Sequence, residues 1–235
     1  MIEEQLSFTL RPVVSHADLV RACAVRAEAY GRRNSAYRDS MAQPDLIDAS
    51  PWTTVFICED KYTGEAVGTM RVQSTTRGDD RLEIEKYIEP PEHMLSYGRA
   101  EITRLAAVHG ADTFVRVALW KAAYLYSVAI QVRWLLMGVR KPALRRAYER
   151  MGAIDVFEDK REIALGYAGF LPHRIFALEI TSLEQRFKEI NPPLFTFIFG
   201  TVHRDISVVP SVERHVPEEV RFHVLERSRE VVQRM

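Results

Sequence analysis

The sequence predicts an α/β (α+β) fold: a mixed central sheet flanked by helices, followed by a mostly helical C-terminal extension. Three observations carry this reading. Short runs with strand-like alternation recur between residues 7 and 180, separated by turn residues. Among them lies one long helical segment, 114–130, that is apolar almost all round and must therefore be buried. The order of elements is not a regular βαβ alternation, which argues against a doubly wound dinucleotide-binding domain. A chain of 235 residues can bury a full core without metals or disulfides. The expected division is a domain over 1–180 and an extension over 181–235.

In chain order, 7–13 (SFTLRPV) alternates as a strand. Residues 17–29 place Leu19, Val20, Cys23, Ala24 and Ala27 at helical spacing behind Ser15 as N-cap. Residues 31–51 are polar and without period, a long loop with room for one helical turn, and loops of that length in compact domains are usually functional. Residues 54–59 and 66–74 form a hairpin across the turn 61–65. Segment 75–98 is mixed, broken at Pro90-Pro91. Then come a strand at 101–108, the buried helix with Asp112 or Thr113 as cap, a strand at 132–139, and a helix at 142–151 with Pro142 in its first turn and Gly152 at its end. A strand at 175–180, a helix at 182–190 and a charged helix at about 218–233 complete the chain.

Lys and Arg total 32 against 32 Asp and Glu, which disfavours a dedicated nucleic-acid-binding protein. The N-terminal residues lack the apolar run of a signal peptide. The apolar stretch 115–139 carries Arg116, Lys121, Gln131 and Arg133, too many polar groups for a membrane span. Cys23 and Cys58 are the two cysteines and are far apart, giving neither a disulfide framework nor a metal pair. The expectation is a cytoplasmic protein. No GxGxxG, GxxxxGK[ST], GxSxG, HExxH or EF-hand pattern occurs, and the histidines are scattered, so no metal site is expected.

The strand EITRLAAV (101–108), the buried helix, the strand VRWLLMGV (132–139) and the segment AYERMGA (147–153) resemble, in that order, the central region of the GNAT acyltransferase superfamily. The strand Glu101-Ile102-Thr103-Arg104-Leu105-Ala106-Ala107-Val108 is similar to the E-x-(S/T)-R-(F/L)-A-V strand of acyl-homoserine-lactone synthases and of the related N-acyl amino acid synthases. Three further features follow the same order. Arg26 with Tyr30 resembles the Arg and aromatic of the first helix, Asp45 and Asp48 the D-x-x-D loop, and Arg71 in Gly68-Thr69-Met70-Arg71 the G-x-x-R strand. The resemblance covers roughly residues 8–155 and implies a GNAT-like, mostly antiparallel central sheet. It also implies acyl transfer to an amine.

Two departures refine it. Ala100 stands where lactone synthases carry Trp, and 31–38 has no Trp for an adenosylmethionine substrate, which favours an amino acid acceptor. The GNAT pyrophosphate loop (Q/R)-x-x-G-x-(G/A), aligned on Gly110, begins at Ala107 and ends at Asp112, and both positions fail. A carboxylate at a helix N-terminus competes with a bound phosphate. An acyl carrier protein (ACP), whose pantetheine arm has one phosphodiester, needs no such loop.

These features set the expectations for the site. The acceptor's α-amine is an ammonium near neutral pH and must lose a proton before it attacks a thioester; a partly buried carboxylate serves as base. Glu101 is the candidate base or amine anchor and Arg104 an orienting cation, with a buried ion pair as the alternative. Residues three apart in a strand face opposite sides, so the two share a surface only if a bulge intervenes. Backbone N–H groups near Leu105 and Ala106 are candidates for stabilising the thioester oxyanion. Asp45 and Asp48 would bind the acceptor's ammonium or simply form turns. Arg26 and Arg71 would hold its carboxylate or serve as counter-ions. Tyr30 belongs to the site or the core. Trp120, Tyr124 and Tyr126 are core or part of an acyl tunnel that the run 192–199 (PLFTFIF with its leading Pro) would close. The donor is expected to be acyl-phosphopantetheine on ACP, or acyl-CoA, with no permanently bound cofactor. The cluster Arg140, Lys141, Arg145, Arg146 and Arg150 would dock the acidic carrier or simply form a solvated helix face. The rival activities are acyl-homoserine-lactone synthesis, a CoA-dependent acetyl transfer, and a non-catalytic acyl- or ACP-binding module.

Overall fold

The computed structural model describes residues 2–32, 34–75, 81–190 and 192–209. The strands are β1 (Ile2–Glu3), β2 (Phe8–Pro12), β3 (Thr53–Asp60), β4 (Ala66–Thr75), β5 (Arg99–Ala107), β6 (Trp134–Val139), β7 (Ile154–Asp155), β8 (Ile163–Leu165), β9 (Leu171–Glu179) and β10 (Thr201–Val202). The helices are α1 (His16–Gly31), α2 (Ala36–Met41), α3 (Glu92–Leu95), α4 (Phe114–Ala129), α5 (Pro142–Glu149), α6 (Leu183–Ile190) and α7 (Pro192–Phe195). Among the described residues the main sheet runs β2-β3-β4-β5-β6-β9-β7, with β8 on β9. Every pairing in it is antiparallel except β5–β6. It is the mixed, mostly antiparallel sheet the sequence predicts.

Alternation along the strands assigns the two faces. Val55 and Ile57 of β3 pack with Ala22 of α1, whereas Phe56 and Cys58 join the larger cluster around Val115, Ala118, Leu119, Ala122 and Ala123 of α4. Gly68 of β4 is required by that second contact, because a Cβ there would lie 2.5 Å from a Val115 methyl. On the α1 face a further cluster gathers Leu82, Ile84, Trp134, Leu136, Leu165 and Ile175. Leu183, Phe187, Phe197 and Ile198, from the expected C-terminal extension, belong to the same cluster as α4. The charged helix expected at about 218–233 lies outside the described residues.

The local predictions shift in three places. Ser15 caps α1, its Oγ accepting from the Asp18 N–H at 3.1 Å. Ser182 instead donates to Glu179 Oε2, and a 3-10 turn, Ile180–Ser182, precedes α6. The loop after α1 contains α2, a little more than the single turn expected. β7 and β8, two and three residues long, are too short for period-two alternation to mark them.

Candidate active site

Two irregularities in β5 make the site. Its pairing with β6 stops at Glu101↔Leu136, so the parallel strands part immediately beyond Glu101. Its pairing with β4 gains one residue: Thr103 faces Arg71 and Ala106 faces Thr69, three steps on β5 against two on β4. Arg104 lies in this bulge with φ 55°, a backbone conformation costly for a residue with a Cβ. The bulge removes the parity that would send Arg104 to the far face. Its guanidinium comes within 3.6 Å of Asp45, on the α1 face that also holds Glu101. Its Nε is buried and has no hydrogen-bond partner among the described residues.

Glu101 is fully buried. Its Oε1 accepts from the Tyr167 hydroxyl at 2.7 Å and its Oε2 from the Ile84 N–H at 2.9 Å. None of the ion pairs among the described residues includes it. Burial pushes its carboxyl up to about 7, against the two hydrogen bonds and Arg71, which favour the charged form; Glu83 adds to the rise. Tyr167 stands in a 3-10 turn, Gly166–Ala168. The sequence reading did not include it, for nothing local relates it to a strand 66 residues earlier. Its flanking Gly166 and Gly169 are the one signal available: a Cβ at 166 would strike the Tyr87 hydroxyl, and Gly169 has φ 69°.

The loop carboxylates are engaged differently. Arg26 Nη1 donates to both oxygens of Asp48, at 3.0 and 2.8 Å, both side chains being buried. Arg71, also buried, donates to both oxygens of Asp45 at 2.8 Å, to Glu83 at 2.7 Å and to Thr103 Oγ1 at 2.8 Å. Asp48 reaches Arg71 at 3.6 Å and accepts from the Asp45 N–H; Asp45 accepts from the N–H groups of Ile47 and Asp48. Of the two alternatives for Arg26 and Arg71, both are ion-paired to loop carboxylates. Asp45 keeps its side chain 39% exposed and its carboxyl below the usual range, held there by Arg71 and Arg104 against the cost of burial.

Beside β5 opens a groove of about 420 Å³, lined by Tyr30, Leu105, Ala106 and Gly110 with Arg32, His109 and Arg116. The Tyr30 hydroxyl donates to the Leu105 carbonyl at 3.3 Å. Asp112, expected to repel a phosphate here, accepts from its own helix at the Phe114 N–H and from Ser7 Oγ. On the α4 face Trp120, Tyr124, Phe187, Ile198 and Phe199 line a small cavity of about 10 Å³. Tyr126 packs on Phe56 and bonds Thr54. On α5 and its flanks Arg140, Lys141, Arg146 and Arg150 are exposed, and Arg145 pairs with Glu162. Among the described residues no cluster of His, Cys, Asp and Glu could hold a metal, and no helix is long and apolar enough to cross a membrane.

A mostly antiparallel sheet whose one parallel pair parts beside a bulge, with a groove along the end of β5, defines the class: an acyltransferase of GNAT architecture. Solved structures share the fold. FeeM, an N-acyl amino acid synthase from uncultured soil microbes, matches with a TM-score of 0.58 at 15% identity, over 76% of this chain and 94% of FeeM. TofI, solved with an inhibitor and MTA, matches at 0.55 and 15%, over 80% of this chain and all of TofI. BjaI, a CoA-dependent acyl-homoserine lactone synthase solved with SAM and isopentyl-CoA, matches at 0.53 and 12%, over 83% and 93%. No curated protein matches. The family model of the N-acyl amino acid synthase FeeM matches residues 21–165, and the chain belongs to that family.

Proposed function

We propose that the chain transfers a fatty acyl group from the phosphopantetheine thioester of acyl carrier protein to the α-amine of an amino acid, giving an N-acyl amino acid. The observation that carries this reading is Glu101. It is a buried carboxylate without a cationic partner among the described residues, at the last register pair before the strands diverge. With its carboxyl pushed up to about 7, it is half ionised where an ammonium needs a base, the match that general base catalysis favours.

The remaining roles follow from placement. Arg104, with an unmatched Nε, orients the acceptor's carboxylate. Asp45 offers the acceptor's ammonium the side it leaves exposed. Arg26, Asp48 and Arg71 hold the loop that presents Asp45. The Leu105 and Ala106 backbone beyond the divergence carries the oxyanion donors, with Tyr30 at the edge of the thioester channel. Arg32 and Arg116 give the groove the positive charge a phosphodiester requires. The exposed Arg140, Lys141, Arg146 and Arg150, with Arg145 beside them, steer an acidic carrier. A long acyl chain directed between the sheet and α4 needs the rings around the small apolar cavity to part. The reaction uses no resident cofactor and belongs in the cytoplasm, where acyl carriers are charged. The domain of residues 1–180 carries the chemistry, and Leu183, Phe187, Phe197 and Ile198 of the extension pack on its α4 side.

The test incubates the purified full chain with acyl-ACP, or with the matching acyl-CoA, and a mixture of amino acids, and reads products by mass spectrometry. An N-acyl amino acid formed faster from acyl-ACP is expected. An acyl-homoserine lactone formed when SAM is supplied, with no N-acyl amino acid, overturns the reading; faster transfer from acyl-CoA overturns the choice of donor.

A further inference from the structure

The base as placed cannot touch its substrate. Glu101 has no solvent exposure, and each of its oxygens already accepts a hydrogen bond. Oε2 faces a backbone N–H, that of Ile84, which has no proton to pass on. Oε1 faces the Tyr167 hydroxyl, which is at once a donor and an acceptor. Tyr167 comes from a different part of the chain. Gly138 of β6 lies beside it: a Cβ at that position would make ordinary contact with the hydroxyl oxygen at 3.6 Å, though it would strike Leu165 at 2.7 Å. Burial and the neighbouring Glu101 and Glu83 push the phenol far above its ordinary range, while Arg104 opposes them. A free phenolate is therefore excluded, and the hydroxyl can move a proton only by giving one as it takes one.

We propose that Tyr167 is a catalytic residue, the relay through which Glu101 receives the acceptor's proton. This rests on the reading of Glu101 as the base and deepens it. As the ammonium N–H bond breaks, its proton bonds to the phenol oxygen, and the phenol's own proton passes to Glu101 Oε1. Tyr167 ends as a neutral phenol, Glu101 as a carboxylic acid, and the amine keeps the electron pair with which it attacks the thioester. Acylation of an ammonium sheds two protons in all. The relay takes the first, and the departing thiolate takes the second as the thiol. The proton on Glu101 then leaves by the same hydroxyl to solvent once the product has gone.

The experiment compares the wild type, Tyr167→Phe and Glu101→Gln with two acceptors. One is an ordinary amino acid. The other is a hydroxamate-forming nucleophile, hydroxylamine, which is neutral at pH 7 and needs no deprotonation before attack. Tyr167→Phe removes only the hydroxyl. With the amino acid, kcat should fall about 10²-fold with little change in KM; with hydroxylamine the loss should be under about fivefold. The surviving activity should also lose protons at a higher pH. The hydroxyl is a hydrogen bond that favours ionised Glu101, so its removal raises the carboxyl further, while the Ile84 N–H and Arg71, which hold it down, and Glu83, which pushes it up, are unchanged. Equal losses with both acceptors mean the ring merely shapes the site and overturn the relay. Full activity of Tyr167→Phe with the amino acid also overturns it. If Glu101→Gln keeps full activity while Tyr167→Phe does not, the base assignment itself has failed, and the relay with it; if only Glu101→Gln is impaired, the base stands and the relay alone falls.

Discussion

Two regions on the same face of the sheet bury carboxylates, and they do so by opposite means. In the loop after α1, Asp48 and Asp45 sit against Arg26 and Arg71, each with bidentate contact to a guanidinium. Two residues along β4 from Arg71 the logic changes: Glu101, opposite Gln73, has a phenol and an amide for partners and no cation among the described residues. Pairing keeps a buried carboxylate ionised and fixed in place. Burial with neutral donors leaves its proton affinity high and its charge state open to change near pH 7. The first arrangement builds a scaffold; the second is the one proposed to serve as the base.

The comparison can be broken at either end. The largest effect is expected at the unpaired carboxylate: Glu101→Gln should lower kcat by about 10²–10⁴-fold in a steady-state assay with an amino acid acceptor. The melting temperature at pH 8 should not fall, because the variant removes a buried charge that lacks a counter-ion. At the paired end, Asp48→Ala strands Arg26 in the interior. Breaking a buried ion pair from one side costs about 3–5 kcal/mol, which a denaturation curve would show as a lowered midpoint. A loss below about 1 kcal/mol would mean the loop is not held by the pair at all. Gly138→Ala probes the space behind Tyr167. The added methyl would sit 2.7 Å from Leu165, and overpacking of this kind costs about 1–3 kcal/mol, which a denaturation curve would show as a lowered midpoint. The smallest effect belongs to the surface. Reversing Arg146 and Arg150 to Glu should slow transfer from acyl-ACP by about tenfold at low salt, leave a short acyl-pantetheine donor almost unaffected, and be mimicked by high salt in the wild type. Equal losses with both donors would remove the docking role.

Much of this contrast was legible in the sequence, and unevenly so. The face assignments follow from period-two strands, and the hairpin β3–β4 falls within a residue of where 54–59 and 66–74 place it. The strand EITRLAAV and the D-x-x-D loop stand out through their resemblance to a family pattern, and the structure brings Glu101, Arg104, Asp45 and Asp48 to the same face of the sheet. Periodicity could state that Glu101 and Arg104 share a surface only across a bulge. It could not show the bulge, since Arg104 adopts φ 55° where no glycine or asparagine marks the turn. Nor could it divide Arg26, Arg71, Asp45 and Asp48 into partners, because ion pairs spanning 22 and 26 residues depend on how the loop returns over β4. Tyr167 was invisible for the same reason: its turn has no periodicity, and its role exists only through a contact made across β6.

The account turns on one carboxylate whose ionisation limits the reaction. The direct test is the pH dependence of kcat/KM for the amino acid acceptor, wild type against Glu101→Gln, from pH 5.5 to 8.5. Glu101 must be ionised to take a proton, and its carboxyl is raised, so activity is low below the raised value and climbs as the pH passes it. The wild type should show an ascending limb governed by a single group titrating at about 7, and the limb should be absent from the residual activity of the variant. A wild-type profile flat across that range, or the same limb persisting in Glu101→Gln, would contradict the assignment of Glu101 as the base.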